Sequence, residues 1–266
     1  MITLPGTGLR CSRFIFGTAS LFNAGNTESR SRLLHAAVEQ GFRHFDTAPY
    51  YGFGMAERDL APVLRAHRDV GVTTKVGIYS PGGERQSAPE IFMRKAAGRL
   101  LPAISRPTID FTLSRARDAL SASLKRLGRD HVELYMLHEP ELHLVKTEEW
   151  QRWLEDERSA GRIGDFGLAL TADRLEPFLR EAPELASVIQ MLDSLDEREA
   201  DILARFGRPM QITYGYVSAA RARGDATPVA ELLRAALRRN PEGALIVSTR
   251  RPERLNQYSQ LLEEGE

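Results

Sequence analysis

Cysteine is almost absent from this sequence. Cys11 stands alone among 266 residues, so no intrachain disulfide can form and the core must hold the fold. Long apolar runs are missing too: none approaches the roughly 18 residues that cross a bilayer, and charge interrupts the best candidates within about ten. No membrane insertion is expected. Net charge is lacking, with 36 basic side chains against 36 acidic ones; no global field draws the chain to nucleic acid or an anionic membrane. The opening Met1-Ile2-Thr3-Leu4-Pro5-Gly6 has neither the charged nor the apolar region of a signal peptide. With the single cysteine, this leads us to expect a cytoplasmic protein whose ligand is small and locally recognised. Lysine is scarce: Lys75, Lys95, Lys125 and Lys146 are the only ones, against an abundance of arginine, so each can be weighed singly.

What is present is an ordinary globular composition, 42% hydrophobic and 27% charged, sufficient for a sizeable core. Short apolar, β-branched or aromatic runs alternate with amphipathic stretches from end to end, with no low-complexity linker, as in βαβ units of a parallel sheet. Strands are expected at Phe14–Thr18, Arg43–Thr47, Val72–Val76, Val132–His138, Gly164–Leu170, Ser187–Leu192, Gln211–Val217 and Ala244–Thr249. Helical patterns follow them at Ser29–Gln40, Ala56–Ala66, Ser114–Leu127, Glu148–Ala160, Arg174–Glu181, Glu197–Phe206, Pro228–Arg239 and from Pro252 onward. Eight such units close a barrel, so the fold class is α/β, a single (β/α)8 TIM barrel spanning 1–266 with a short C-terminus. Ahead of the first strand, Pro5-Gly6-Thr7-Gly8 marks a short N-terminal β-hairpin that would plug the barrel's bottom. The competing doubly wound sheet usually carries G-x-G-x-x-G between its first strand and helix. That motif is absent; Gly52-Phe53-Gly54 follows the second strand and lacks the third glycine.

In such a barrel, polar groups at the C-terminal ends of strands form the reactive mouth. Three consecutive strands end this way, on Asp46, Lys75 and His138, and Tyr51 lies five residues beyond Asp46 in a loop that Gly52 lets bend tightly. A phenol with an ordinary pKa near about 10 is a poor acid or base at neutral pH; a neighbouring ammonium such as Lys75 is expected to lower it. Asp46 would keep that ammonium charged, and His138 would hydrogen-bond the substrate oxygen or relay a proton. Tyr50 competes with Tyr51 for the phenol's place.

Asp46-Thr47-Ala48-Pro49-Tyr50-Tyr51-Gly52, together with Ser121–Leu127 and Leu134–His138, resembles the aldo-keto reductase family, and the resemblance extends over nearly the whole chain. It implies that Asp46, Tyr51, Lys75 and His138 are the catalytic tetrad of an oxidoreductase that interconverts a small-molecule carbonyl substrate and its alcohol. It also implies a nicotinamide cofactor across the mouth, its adenosine phosphate held after strand eight by Ser248, Thr249, Arg250 and Arg254. Hydroxyls, guanidinium groups and a helix N-terminus suit a phosphate there, and favour NADPH (NADP+) over NADH. Gln190 matches the family's glutamine on the nicotinamide carboxamide, and Tyr214 or Tyr216 would stack beneath the ring.

Two departures stand out. Where many members have a Ser-Asn pair after strand five, this chain has Ala169-Leu170, so the nicotinamide grip would be weaker or rearranged. The chain also ends soon after the last helix. Specificity would then come from Phe22–Asn26, Phe53–Met55, Glu139–Lys146 and the long Tyr79–Thr112 connection, a candidate lid or pocket wall. Rival readings are a Schiff-base lyase or aldolase using Lys75, and a cofactor-binding regulatory subunit with little turnover. His138-Glu139-Pro140-Glu141-Leu142-His143 superficially suggests metal, but the histidines are five apart and Pro140 disfavours the helix that an H-E-x-x-H zinc site needs. No metal is expected.

Overall fold

The computed structural model describes residues 1–83, 86, 90, 93 and 106–263. Eight parallel strands form the closed barrel the sequence predicts: β3 (Phe14–Gly17), β4 (His44–Asp46), β5 (Gly71–Val76), β8 (Val132–His138), β9 (Ile163–Leu170), β10 (Val188–Leu192), β11 (Ile212–Tyr214) and β12 (Ala244–Val247), with β12 closing on β3. Every residue of β5 is buried, as expected of a parallel strand covered on both faces, where apolar runs are continuous rather than alternating. Around the barrel lie α1 (Thr27–Glu39), α2 (Met55–Ala66), α3 (Leu113–Leu127), α4 (Thr147–Ser159), α5 (Ala172–Glu181), α6 (Asp201–Arg205), α7 (Tyr216–Ala222), α8 (Val229–Arg239) and α9 (Glu253–Glu263). Local chemistry sets several ends. The Asn26 side chain accepts from Ser29 N at 2.9 Å to cap α1, and Gly128 takes the left-handed conformation that terminates α3.

The hairpin is present as β1 (Ile2–Thr3) paired antiparallel with β2 (Arg10–Cys11). Leu4 and Cys11 join the inward-facing Ile15, Leu134, Val188, Ile212 and Ala244 in a compact apolar cluster. Gln211 fastens the plug by donating through Nε2 to Pro5 O at 2.9 Å. In the expected lid region, β6 (Ile78–Tyr79) pairs with β7 (Thr108–Ile109) to form a stem; residues 84–105, apart from 86, 90 and 93, lie outside the described residues, and with them most of the Tyr79–Thr112 segment.

Strand seven corrects the expectation. It stops at Tyr214 instead of running to Val217, because Gly215 has φ +105°, a conformation that ends the strand and starts α7. An added Cβ at Gly215 would lie 2.3 Å from Leu192 Cδ1, so space as well as dihedral favours glycine.

His44 provides a titratable element of the barrel wall. It is fully buried, with Nε2 2.8 Å from Thr73 Oγ1, and burial pushes its pKa down to about 4. The folded value lies below the unfolded one, so the unfolded chain binds more protons between them. The contribution to stability is therefore complete above the unfolded pKa and is lost as pH falls through about 4. Urea unfolding of wild type and His44→Phe should show wild type losing about 3 kcal/mol more between neutral pH and that range. Parallel pH profiles would contradict the assignment.

Candidate active site

β4, β5 and β8 are neighbours in the barrel and deliver Asp46, Lys75 and His138 to the same mouth. Lys75, only 1% exposed, donates from Nζ to Asp46 Oδ2 at 2.6 Å and to Thr47 O at 3.0 Å, and lies 3.5 Å from the Tyr51 hydroxyl. The Tyr51 ring meets His138 edge-on, centroids 5.9 Å apart at 88°. Three successive left-handed residues, Gly52, Phe53 and Gly54, turn the chain back after Tyr51 and feed it into α2. Arg58 secures the turn by donating to Phe53 O at 3.0 Å. Tyr51 lines the resulting cavity of about 210 Å³ and Tyr50 does not, which separates the two tyrosines that sequence left in competition.

Burial raises the Asp46 pKa and lowers that of Lys75, and each partner's charge opposes the shift of the other. Burial likewise pushes His138 down to about 3, with the Lys75 charge adding to the effect; its imidazole is neutral at physiological pH. The expectation for Tyr51 is reversed. Burial holds its phenol well above the usual tyrosine range, and the carboxylates of Asp46 and Glu139 push the same way. The physical reason is burial, which outweighs the ammonium 3.5 Å away; the Asp46 carboxylate, bonded to that ammonium at 2.6 Å, adds its own upward push. The tyrosine is thus held as a neutral phenol in this arrangement.

Gln190, at the middle of β10, and Tyr214, at the end of β11, line the same cavity. Gln190 hydrogen-bonds the Asp46 carboxylate, while its Oε1 is buried without a partner. That leaves an acceptor suited to an amide N–H, such as a carboxamide offers. Ala169 lines the wall with only a methyl group, and Leu170 is buried in the core. Tyr214, not Tyr216, reaches the catalytic mouth; the Tyr216 hydroxyl is committed to Asp193 Oδ2 at 2.7 Å.

A second hollow of about 220 Å³ shares Gly215, Ser218, Ile246 and Ser248 with the first and extends to Arg221, Arg254 and Tyr258. The two form one groove running from the tetrad to the N-terminus of α9. Of the four residues expected at the adenosine phosphate, Ser248 and Arg254 line it. Thr249 is buried, its hydroxyl bonded to the backbone of Arg251, and Arg250 is exposed in the same loop; neither lines the groove. Ser218 and Arg221 were missed, because the overextended seventh strand concealed the helix that carries them. Glu139, at the cavity rim, was read only as the start of a specificity loop.

The arrangement provides a neutral phenol beside a buried ammonium–carboxylate pair and a neutral imidazole, at one end of a groove whose other end carries cationic side chains. A phenol so placed can give a proton to an oxygen that gains negative charge. Comparisons with known proteins agree with this picture. Residues 13–208 match the model of the aldo/keto reductase family. The chain is 30% identical over 184 residues to D-threo-aldose 1-dehydrogenase of a Pseudomonas species, covering 66% of this chain and 55% of that protein. It is 28% identical over 231 residues to pyridoxal 4-dehydrogenase of Microbacterium luteolum, covering 74% and 64%. The matches thus span about half to two thirds of these curated relatives. Among solved structures, the holo aldo-keto reductase of Bacillus halodurans superposes with a TM-score of 0.73 at 18% identity, over 98% of this chain and 90% of that one. Glycerol dehydrogenase of Gluconobacter oxydans gives 0.73 at 20%, over 98% and 89%. At those identities the structures speak for the fold, and the family match over most of the chain speaks for kinship: this protein belongs to the aldo/keto reductase family.

Proposed function

We propose that the protein is an NADP(H)-dependent oxidoreductase that interconverts an aldehyde or ketone and its alcohol, with Tyr51 as general acid/base. The convergence of Tyr51, Lys75, Asp46 and His138 on one cavity carries this reading. When bound in the groove, the nicotinamide supplies or accepts the hydride. The protein's share is proton handling and alignment. Tyr51 gives its proton to the carbonyl oxygen; the Lys75 ammonium stabilises the phenolate left behind; Asp46 keeps Lys75 charged and aimed; and neutral His138 hydrogen-bonds the same oxygen. In the oxidising direction the Tyr51 phenolate takes the alcohol proton. Gln190 would hold the carboxamide, Tyr214 the nicotinamide face, and Ser248 and Arg254 the adenosine phosphate, with Arg250 and Thr249 shaping that loop. The relatives named for oxidation of an aldose and of pyridoxal support small carbonyl compounds and alcohols as substrates.

Nothing in the geometry favours the Schiff-base alternative. Lys75 Nζ is enclosed, with Asp46, Thr47 and Tyr51 within hydrogen-bond range, so no free lone pair faces a substrate.

Arg254 decides the choice of nucleotide. Charge-assisted bonds to a phosphate contribute about 1.5–3 kcal/mol, roughly ten- to a hundredfold in affinity. Arg254→Ala should therefore raise the calorimetric Kd for NADPH by about that factor while changing the NADH value less than about threefold. Failure of the wild-type protein to bind either nucleotide would overturn the proposal.

A further inference from the structure

The proposed cavity carries a negative charge outside the tetrad. Asp46 and Lys75 neutralise one another, which leaves Glu139 as the remaining charged group among the described lining residues. Its position is built rather than incidental. Glu139 has φ +49°, a left-handed conformation unusual outside glycine. Two bonds pin it there: its N–H donates to Ala169 O at 2.7 Å, and Arg174 donates to its carbonyl at 2.6 Å. The side chain also accepts from Thr171, at the start of α5. Arg174 donates to the Glu139 carbonyl and lies 3.4 Å from the Glu141 carboxylate; among the described residues no ion pair within 4 Å reaches the carboxylate of Glu139, whose pKa burial raises while the Arg174 charge and the Thr171 bonds oppose the rise. Glu139 lines the same cavity as Tyr51 and Tyr214, at the end of the groove that holds Lys75 and His138, and its charge acts on both tyrosines.

We propose that Glu139 is a specificity residue that excludes anionic carbonyl substrates and admits neutral or cationic ones. An incoming carboxylate meets a fixed like charge in a half-enclosed site of reduced dielectric, whereas a hydroxyl or ammonium group meets an acceptor. This rests on the reductase reading, and the test separates the two. Reduction of 4-carboxybenzaldehyde is compared with that of its methyl ester, which has the same reacting group and no charge. Wild type should prefer the ester, and Glu139→Gln, which keeps the size and the acceptor for Thr171, should narrow the ratio of kcat/KM about tenfold or more; any change in Tyr51 acidity acts on both substrates alike and cancels in that ratio. An unchanged ratio overturns the inference and, with turnover of either compound, leaves the reductase reading standing. Calorimetric binding of the same two compounds needs no turnover. Glu139-dependent preference for the ester in a protein that binds neither nucleotide retains the inference and removes the reductase reading, whereas equal binding by wild type and variant removes the inference.

Discussion

Tyr51→Phe is expected to bind NADPH as wild type does and to reduce aldehydes about 10²–10⁴-fold more slowly, the range that a positioned general acid contributes. The substitution deletes one oxygen and leaves the ring against His138, whose edge-on contact does not involve the hydroxyl. The loss should therefore fall on the step in which the carbonyl oxygen gains charge, not on cofactor affinity. Burial and the carboxylates of Asp46 and Glu139 hold the phenol protonated, so reduction draws on a donor that is present throughout the neutral range. Oxidation must work against the same field, and reduction should be the faster direction at neutral pH. Single-turnover measurement of NADPH consumption, with nucleotide affinity determined separately, decides the matter. Retention of more than about a tenth of the wild-type rate would remove Tyr51 from the acid role.

Lys75→Met should give the second large effect, and it divides into two. Turnover should fall by about 10²–10⁴-fold as the phenolate loses its cationic neighbour. Stability should also fall, by about 3–5 kcal/mol, because Asp46 would remain buried without its partner. Asp46→Leu combined with Lys75→Met removes the stranded charge and should recover much of that stability without recovering turnover. Urea unfolding and steady-state assays on the three proteins distinguish the effects; a double variant that regained activity would rule out the proposed role of the ion pair.

How far the sequence could be read depended on how local each signal was. The barrel strands were visible because each is a short apolar run between turn residues, and Asp46, Lys75 and His138 stood out because polar groups end those runs. The seventh strand was overextended because Tyr214 to Val217 has the aromatic and β-branched character of a strand; one left-handed glycine within it overrides that preference. The cost was Ser218 and Arg221, which belong to the groove only once α7 is recognised. Pairings across long stretches of sequence were also hidden. Asp193, fully buried, accepts from Arg239 through both carboxylate oxygens, at 2.8 and 3.1 Å, and from Tyr216. This network withdraws Tyr216 from the cavity and leaves that place to Tyr214, an outcome set by a residue 46 positions away from its partner. The direction of the Tyr51 shift was inaccessible for a similar reason. Composition reveals that an ammonium is near, but only the fold shows how deeply the phenol is buried and which carboxylates face it.

The plug beneath the barrel has one more consequence. The chain's single thiol, Cys11, is sealed under that hairpin, fully inaccessible and with its pKa pushed up to about 12 by burial. A thiol in that state is inert until the stopper lifts and water reaches it. Cys11 is therefore a built-in clock: the pace at which an added disulfide reagent consumes it records how often the floor of the barrel opens, without any label introduced near the catalytic mouth.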